Sequence, residues 1–165
     1  MPFTDDYLEL VKERAYNAEG TVSAAQQASA AIALRKALHV MLRLFAPFLP
    51  FATEEVWGWW QKDSGSIHRA SWPAVEELTQ GLDASNAGLL DLASIAVGGV
   101  RKAKSDAKAS MKAAVDSAII EAPAAVLTSL RVIESDLKSV GKIQNLSYAE
   151  GSEVAMTQII LSDAE

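Results

Sequence analysis

Apolar residues in the first half of the chain recur at helical steps. Leu34, Leu38, Met41, Leu42 and Phe45 come at three- and four-residue intervals, so a helix starting near Ser23 can turn one stripe away from water. Arg35, Lys36, His39 and Arg43 lie around its other side, with His39 on the helix surface. The alanine-rich half of that helix, Ala24 to Ala33, favours helix and permits close packing. Pro47 and Pro50 lack amide hydrogens and bias Ala46 and Leu49 away from helical angles, so the chain must turn there. It restarts near Pro50, placing Glu54 and Glu55 where a helix N-terminus favours negative charge. Thr53, Val56, Trp57 and Trp60 then share a face, while Trp59 falls off it onto the rim. An earlier helix, Thr4 to Asn17 with Thr4 as N-cap, turns Tyr7, Leu8, Val11 and Ala15 inward. Ser66 to Pro73 reads as a short extended piece, with His68 in an edge strand.

The second half changes period. Glu76 to Ser85 reads as a linker. A long helix from about Ser85 to Ala109 carries Leu89, Ala93, Ala96, Val100, Ala103 and Ala107 on its inner stripe. Gly98 and Gly99 inside it each cost about 1 kcal/mol relative to alanine, so they imply a kink or a backbone packed too close for a side chain. Ala114 to Glu121 reads as a strand. Pro123 then opens a helix whose stripe Val126, Leu130, Ile133, Leu137 and Val140 runs to Gly141, a suitable stop. Ile143 to Tyr148 and Val154 to Leu161 follow as two strands. The predicted class is α+β, mainly α: an antiparallel helical bundle over residues 1–80, then over 81–165 a small β-α-β-β unit packed on a long basic helix.

Composition narrows the functions open to such a fold. The chain of 165 residues can bury a core as one domain or two small units. It has no cysteine, which excludes disulfides and thiolate metal sites. The lack of cysteine leads to the expectation of an intracellular, cytoplasmic protein, and with no apolar run long enough to span a bilayer the chain is expected to be soluble with no membrane partner. The net charge of −6 opposes a polyanionic partner at long range, but its distribution is uneven. Arg101, Lys102, Lys104, Lys108 and Lys112 are interrupted only by Asp106, and Arg101, Lys104 and Lys108 fall on one predicted face. By itself such a stripe fits a solvated face or a phosphate-binding one. Catalytic chemistry finds no support: there is no glycine-rich phosphate loop and no nucleophile elbow, and the two histidines have no cysteine partners. No catalytic, cofactor-binding or metal-binding residue is assigned.

One string is more specific. Leu42 to Phe45, then Ala46-Pro47-Phe48-Leu49-Pro50-Phe51, then Thr53-Glu54-Glu55-Val56-Trp57 resembles the anticodon-binding helical domain of class I aminoacyl-tRNA synthetases of the valine, isoleucine and leucine group. Phe3 to Lys12 and Ser66 to Pro73 resemble segments flanking it in the valine branch, the valyl-tRNA synthetases. The resemblance implies a C-terminal portion of a valine–tRNA ligase, either a fragment or a truncated gene product, that positions the anticodon arm of valine tRNA. A catalytic domain elsewhere, using ATP and magnesium, would make the ester. That domain carries a His-x-Gly-His element and a Lys-Met-Ser-Lys-Ser loop, and Lys108-Ala-Ser-Met-Lys112 matches the latter only in letters out of order. The segment is therefore expected to be no enzyme on its own, with tRNA and the catalytic domain as partners.

The resemblance also implies that Arg101, Lys104, Lys108 and Lys112 hold tRNA phosphates, with Arg35, Lys36 and Arg43 as weaker candidates. Aromatic stacking on an unpaired anticodon base is the mode of reading it implies. The family's proline in the turn after the basic helix is replaced here by Ala109-Ser110-Met111. Two alternatives are a stand-alone protein-interaction module, which suits the acidic balance, and the equivalent segment of an isoleucine or leucine enzyme.

Overall fold

The computed structural model describes residues 2–18, 20–81 and 88–162. Two compact units emerge, Val22–Leu82 and a discontinuous one made of Met1–Thr21 with Asp83–Glu165. The chain therefore does not divide at residue 80 as expected, because its first helix belongs with the second half. Leu10 and Val11 of that helix are buried, and Leu10 packs in one core with Ala93, Ala96, Val97, Leu130 and Leu137.

In the discontinuous unit a π-helical turn at Pro2–Tyr7 leads into α1 (Leu8–Tyr16), so the helix starts before the N-cap expected at Thr4. The long helix α5 (Leu89–Asp106) is followed by β1 (Val115–Ala122), α6 (Ala124–Val132), α7 (Glu134–Gly141), β2 (Ile143–Glu150) and β3 (Ala155–Leu161). The start of α5 expected at Ser85 lies outside the described residues. β1 is the central strand, parallel to β2 and antiparallel to β3. Parallel pairing requires a crossover, which α6 and α7 supply. One helix was expected there; the chain instead departs from helical angles at Ile133 (φ −108°, ψ 18°) and makes two.

Two glycines have packing reasons. A Cβ on Gly99 would lie 2.8 Å from Met156 Cβ of β3, so the close approach, not a kink, explains it. A Cβ on Gly141 would lie 2.7 Å from Ile143 Cδ1. Gly141 is thus the last helical residue, and Lys142 (φ 57°) takes the left-handed stop expected of the glycine.

The Val22–Leu82 unit contains α2 (Ala24–Phe45), α3 (Pro50–Trp60) and the short α4 (Val75–Thr79). Ser23 caps α2, its hydroxyl accepting from the Gln26 amide while the Gln26 side chain returns a bond to the Ser23 amide. The buried side of α2 is rotated from the expected stripe. Leu42, Arg43 and Ala46 are buried and His39 is half-buried against α3, whereas Leu38 and Phe45 are exposed. The reason is the partner: Trp57 packs with Leu42, Ala46 and Ile67, and stacks on the His39 ring at a centroid distance of 5.0 Å.

The first turn of α3 holds no acid, because the helix begins at Pro50 and Glu54 and Glu55 stand beyond that turn; Glu54 instead holds the chain that follows α3. Its Oε2 accepts from Ser66 Oγ (3.0 Å) and the Ile67 amide (2.9 Å). Ile67–Arg69 is consequently a 3₁₀ turn capped by Ser66, not the expected strand, and His68 sits in that turn. The segment expected as a linker after residue 76 includes part of α4; residues 82–85 of it lie outside the described residues.

Candidate nucleic-acid interface

α5 carries the basic side chains, and its packing sorts them. Ala96, Val97, Val100 and Lys104 share its buried side, because residue 104 stands one turn beyond Val100. Lys104 is 2% exposed. Its Nζ donates to the carbonyls of Gly141 (2.9 Å) and Met111 (3.2 Å). Gly141 ends α7, so the ammonium caps the negative end of that helix. Burial, with Lys142 adding repulsion, holds the Lys104 pKa below the ordinary lysine value. The expectation that Lys104 contacts phosphate from the outer face is corrected: it is a structural ion of the fold.

Arg101 remains at the surface but is occupied. Its Nη1 donates to Asp6 Oδ1 (3.1 Å) and its Nη2 to the Asp5 carbonyl (3.3 Å). Lys108 and Lys112 are exposed. Lys108 (φ 54°) is the left-handed residue of a Schellman turn, in which Lys108 N donates to Ser105 O and Ala109 N to Lys104 O. That motif ends α5 without the family's proline.

A groove of about 610 Å³ runs beside this helix within the discontinuous unit. Lys12, Arg101, Lys104, Lys112 and Lys142 line it against two acids, Glu9 and Glu13, leaving it net positive. Lys12 and Lys142 were missed in the sequence, since residues on α1, after α5 and after α7 meet only on folding. Tyr16, largely exposed, stands in the same groove.

Arg43, in the other unit, is also corrected. It is 9% exposed, and it makes a set of bonds to its own chain. Its Nε donates to the His39 carbonyl (3.2 Å), its Nη1 to the Ser71 carbonyl (3.3 Å) and to Glu77 Oε1 (3.2 Å), and its Nη2 pairs with Glu77 Oε2. The guanidinium, helped by the Ala74 amide, holds the Glu77 carboxyl down at about 2. Burial, then Arg43, lowers the His39 pKa. Arg35 lies over the Trp60 ring at 5.4 Å and is exposed; Lys36 is half-buried. Among the described residues no cluster of His, Cys, Asp or Glu could hold a metal ion, and no helix is long and apolar enough to cross a membrane.

Residues 2–120 match the profile of the anticodon-binding domain of tRNA ligase. The chain belongs to that family. Across nearly its whole length it is also similar to valine–tRNA ligases. It is 48% identical over 162 residues to that of Leifsonia xyli subsp. xyli, a span covering 98% of this chain and 18% of the relative. Identity is 46% over 161 residues with the Cutibacterium acnes enzyme and 43% over 173 with that of Salinispora tropica, covering 18% and 20% of those proteins. The chain thus spans about a fifth of the curated relatives it matches. The family match takes in α1 to most of β1, and the similarity to valine–tRNA ligases continues through the rest of the sheet.

Proposed function

We propose that this chain is the tRNA-binding C-terminal segment of a valine–tRNA ligase, docking the anticodon arm while the remainder of the ligase performs aminoacylation. The family match over residues 2–120, joined to 48% identity with a valine–tRNA ligase, carries the reading. The groove in the discontinuous unit supports it. Exposed Lys112 and Lys142, with Lys12 and Arg101, give a net positive surface in an acidic protein. Cations of this kind hold the phosphate backbone and set orientation without reading sequence.

Lys104 supports the groove from beneath, fixing the end of α7 from which Lys142 projects. Lys108, Arg35 and Lys36 remain secondary phosphate contacts. ATP and magnesium belong, in this reading, to the remainder of the ligase. A cytoplasmic location follows from the same reading.

Titration of the chain with valine tRNA at two salt concentrations tests it. Binding that weakens steeply with salt is expected. Absence of binding at low salt would overturn the tRNA reading and favour a protein-interaction module.

A further inference from the structure

Residues 44–53, which join α2 to α3 around the two prolines, carry no charge. Only Ala46 and Thr53 among them are buried. Phe48 is 78% exposed and Phe51 90%, with Leu44, Phe45 and Leu49 about half exposed. Single apolar residues at a surface need no explanation, but three phenylalanines and two leucines in one uncharged stretch form a patch of the kind that another surface covers.

The corner is built so that it can be covered. The Phe48 and Leu49 amides both donate to the Phe45 carbonyl (2.9 Å each), a turn that brings these three side chains to one side. The Thr53 amide donates to the Leu49 carbonyl (3.0 Å), and the Thr53 hydroxyl donates to the same carbonyl (2.9 Å) and to that of Pro50 (3.3 Å). Pro47 and Pro50 have no amide hydrogen to satisfy. Removing water from the corner therefore leaves these groups bonded, which is the condition for a dry interface.

Charge decides what can cover it. No cation within residues 44–53 can hold a phosphate, Arg43 before them is paired with Glu77, and Glu54 and Glu55 follow. Nucleic acid and an anionic membrane surface both require cations at the contact, so neither fits. An uncharged, apolar protein surface does. The span of the relatives supplies a source for one: this chain matches 18% of the Leifsonia xyli valine–tRNA ligase, so in the reading proposed above most of the ligase lies outside it. A tethered segment meets such a face at an effective concentration that a free partner rarely reaches.

We propose that the proline corner is the dry seat on which an uncharged apolar face of the ligase remainder docks, fixing the α2–α3 hairpin to the rest of the enzyme through Phe45, Phe48, Leu49 and Phe51. The inference rests on the ligase reading for its partner and is independent of tRNA binding.

Hydroxyl-radical footprinting tests it, comparing the chain alone with a graft in which this chain replaces the matching span of the Leifsonia xyli ligase. Labelling of Phe48 and Phe51 is expected to fall roughly tenfold in the graft, the difference between an open side chain and one at the core of an interface. Phe48→Asp combined with Phe51→Asp should leave the unfolding midpoint of the chain alone unchanged and lower that of the graft. Equal labelling of both phenylalanines in the two proteins overturns the proposal. So does labelling of the chain alone that falls, as its concentration rises, to the level seen in the graft, which would assign the face to a second copy. The unaltered Leifsonia ligase, labelled over the span aligned with residues 44–53, is read in parallel and decides the matter if the graft does not fold: protection there supports the seat and open labelling overturns it. If the corner is protected while the chain fails to bind tRNA, the tRNA reading falls and the seat stands; if tRNA binds and the corner stays open, the seat alone falls.

Discussion

Arg43 in the Val22–Leu82 unit and Lys104 in the discontinuous unit are both buried cations, yet they are satisfied in different ways. Arg43 meets a carboxylate, two carbonyls and the edge of a histidine, tying α2 to α4 and to Ser71. Lys104 meets only carbonyls, one of them at the end of α7. The surroundings explain the choice. The first unit has a small apolar cluster around Trp57 and Leu42 and needs a planar, five-donor group to bridge separate segments. The second has an extended apolar core from Leu10 to Leu137, in which a compact ammonium caps one helix. A polar hub organises one unit and an apolar core the other.

Lys104→Ala should have the largest effect, about 2–4 kcal/mol of stability lost from the discontinuous unit, through a cavity and two carbonyls left unpaired. Amide exchange should accelerate in α7 and β1 and stay unchanged in α2 to α4. Arg43→Ala should do the converse, costing about 2–3 kcal/mol through lost charge-assisted bonds, with faster exchange confined to residues 22–82. If either variant loosened both units equally, the contrast between hub and core would be wrong.

The α5 glycines divide the same issue within one helix. Gly99→Ala should cost about 1–2 kcal/mol, the clash with Met156 outweighing the gain in helix propensity. Gly98→Ala, where a Cβ meets nothing within 4 Å, should add up to about 1 kcal/mol of stability. Urea unfolding of the two variants reads both signs.

Acid should separate the units further. Glu77, held at about 2, contributes stability that is complete above its ordinary value of 4.5 and is lost as pH falls from there toward 2. His39, lowered chiefly by burial, favours the neutral ring, so stability also declines as pH falls below 6.5. In the other unit, burial raises the Asp136 carboxyl above 3.8 despite its 2.9 Å pair with Arg14. Acidification there neutralises a buried charge and adds no penalty. Amide exchange between pH 7 and 4 should therefore show the Val22–Leu82 unit loosening first; the reverse order would contradict these assignments.

The smallest expected effects concern phosphate. Lys112→Ala and Lys142→Ala should each reduce the salt slope of tRNA binding by about 1 with no loss of stability. Lys104→Ala, measured where it is still folded, should leave the slope unchanged. A slope lowered by Lys104→Ala would return that residue to the interface.

Local signals carried far. The helix start near Ser23, the break at Pro47 and Pro50 and the strand following Ala114 depend on neighbours in sequence or on backbone rules, and each is legible there. The side of α2 that is buried was not legible, because both of its stripes are amphipathic enough to pack and Trp57 selects the one carrying His39 and Arg43. The position of α1 was equally hidden, since nothing in residues 8–16 states that their partner lies beyond residue 88.

The candidate site divides along the same line. The sequence determined the family and the basic character of α5. Tertiary structure decided that Lys104 faces inward and that Lys12 and Lys142 join Lys112 around one groove. Periodicity gives the direction of a side chain relative to its own helix; whether that direction is water depends on which other segment arrives there.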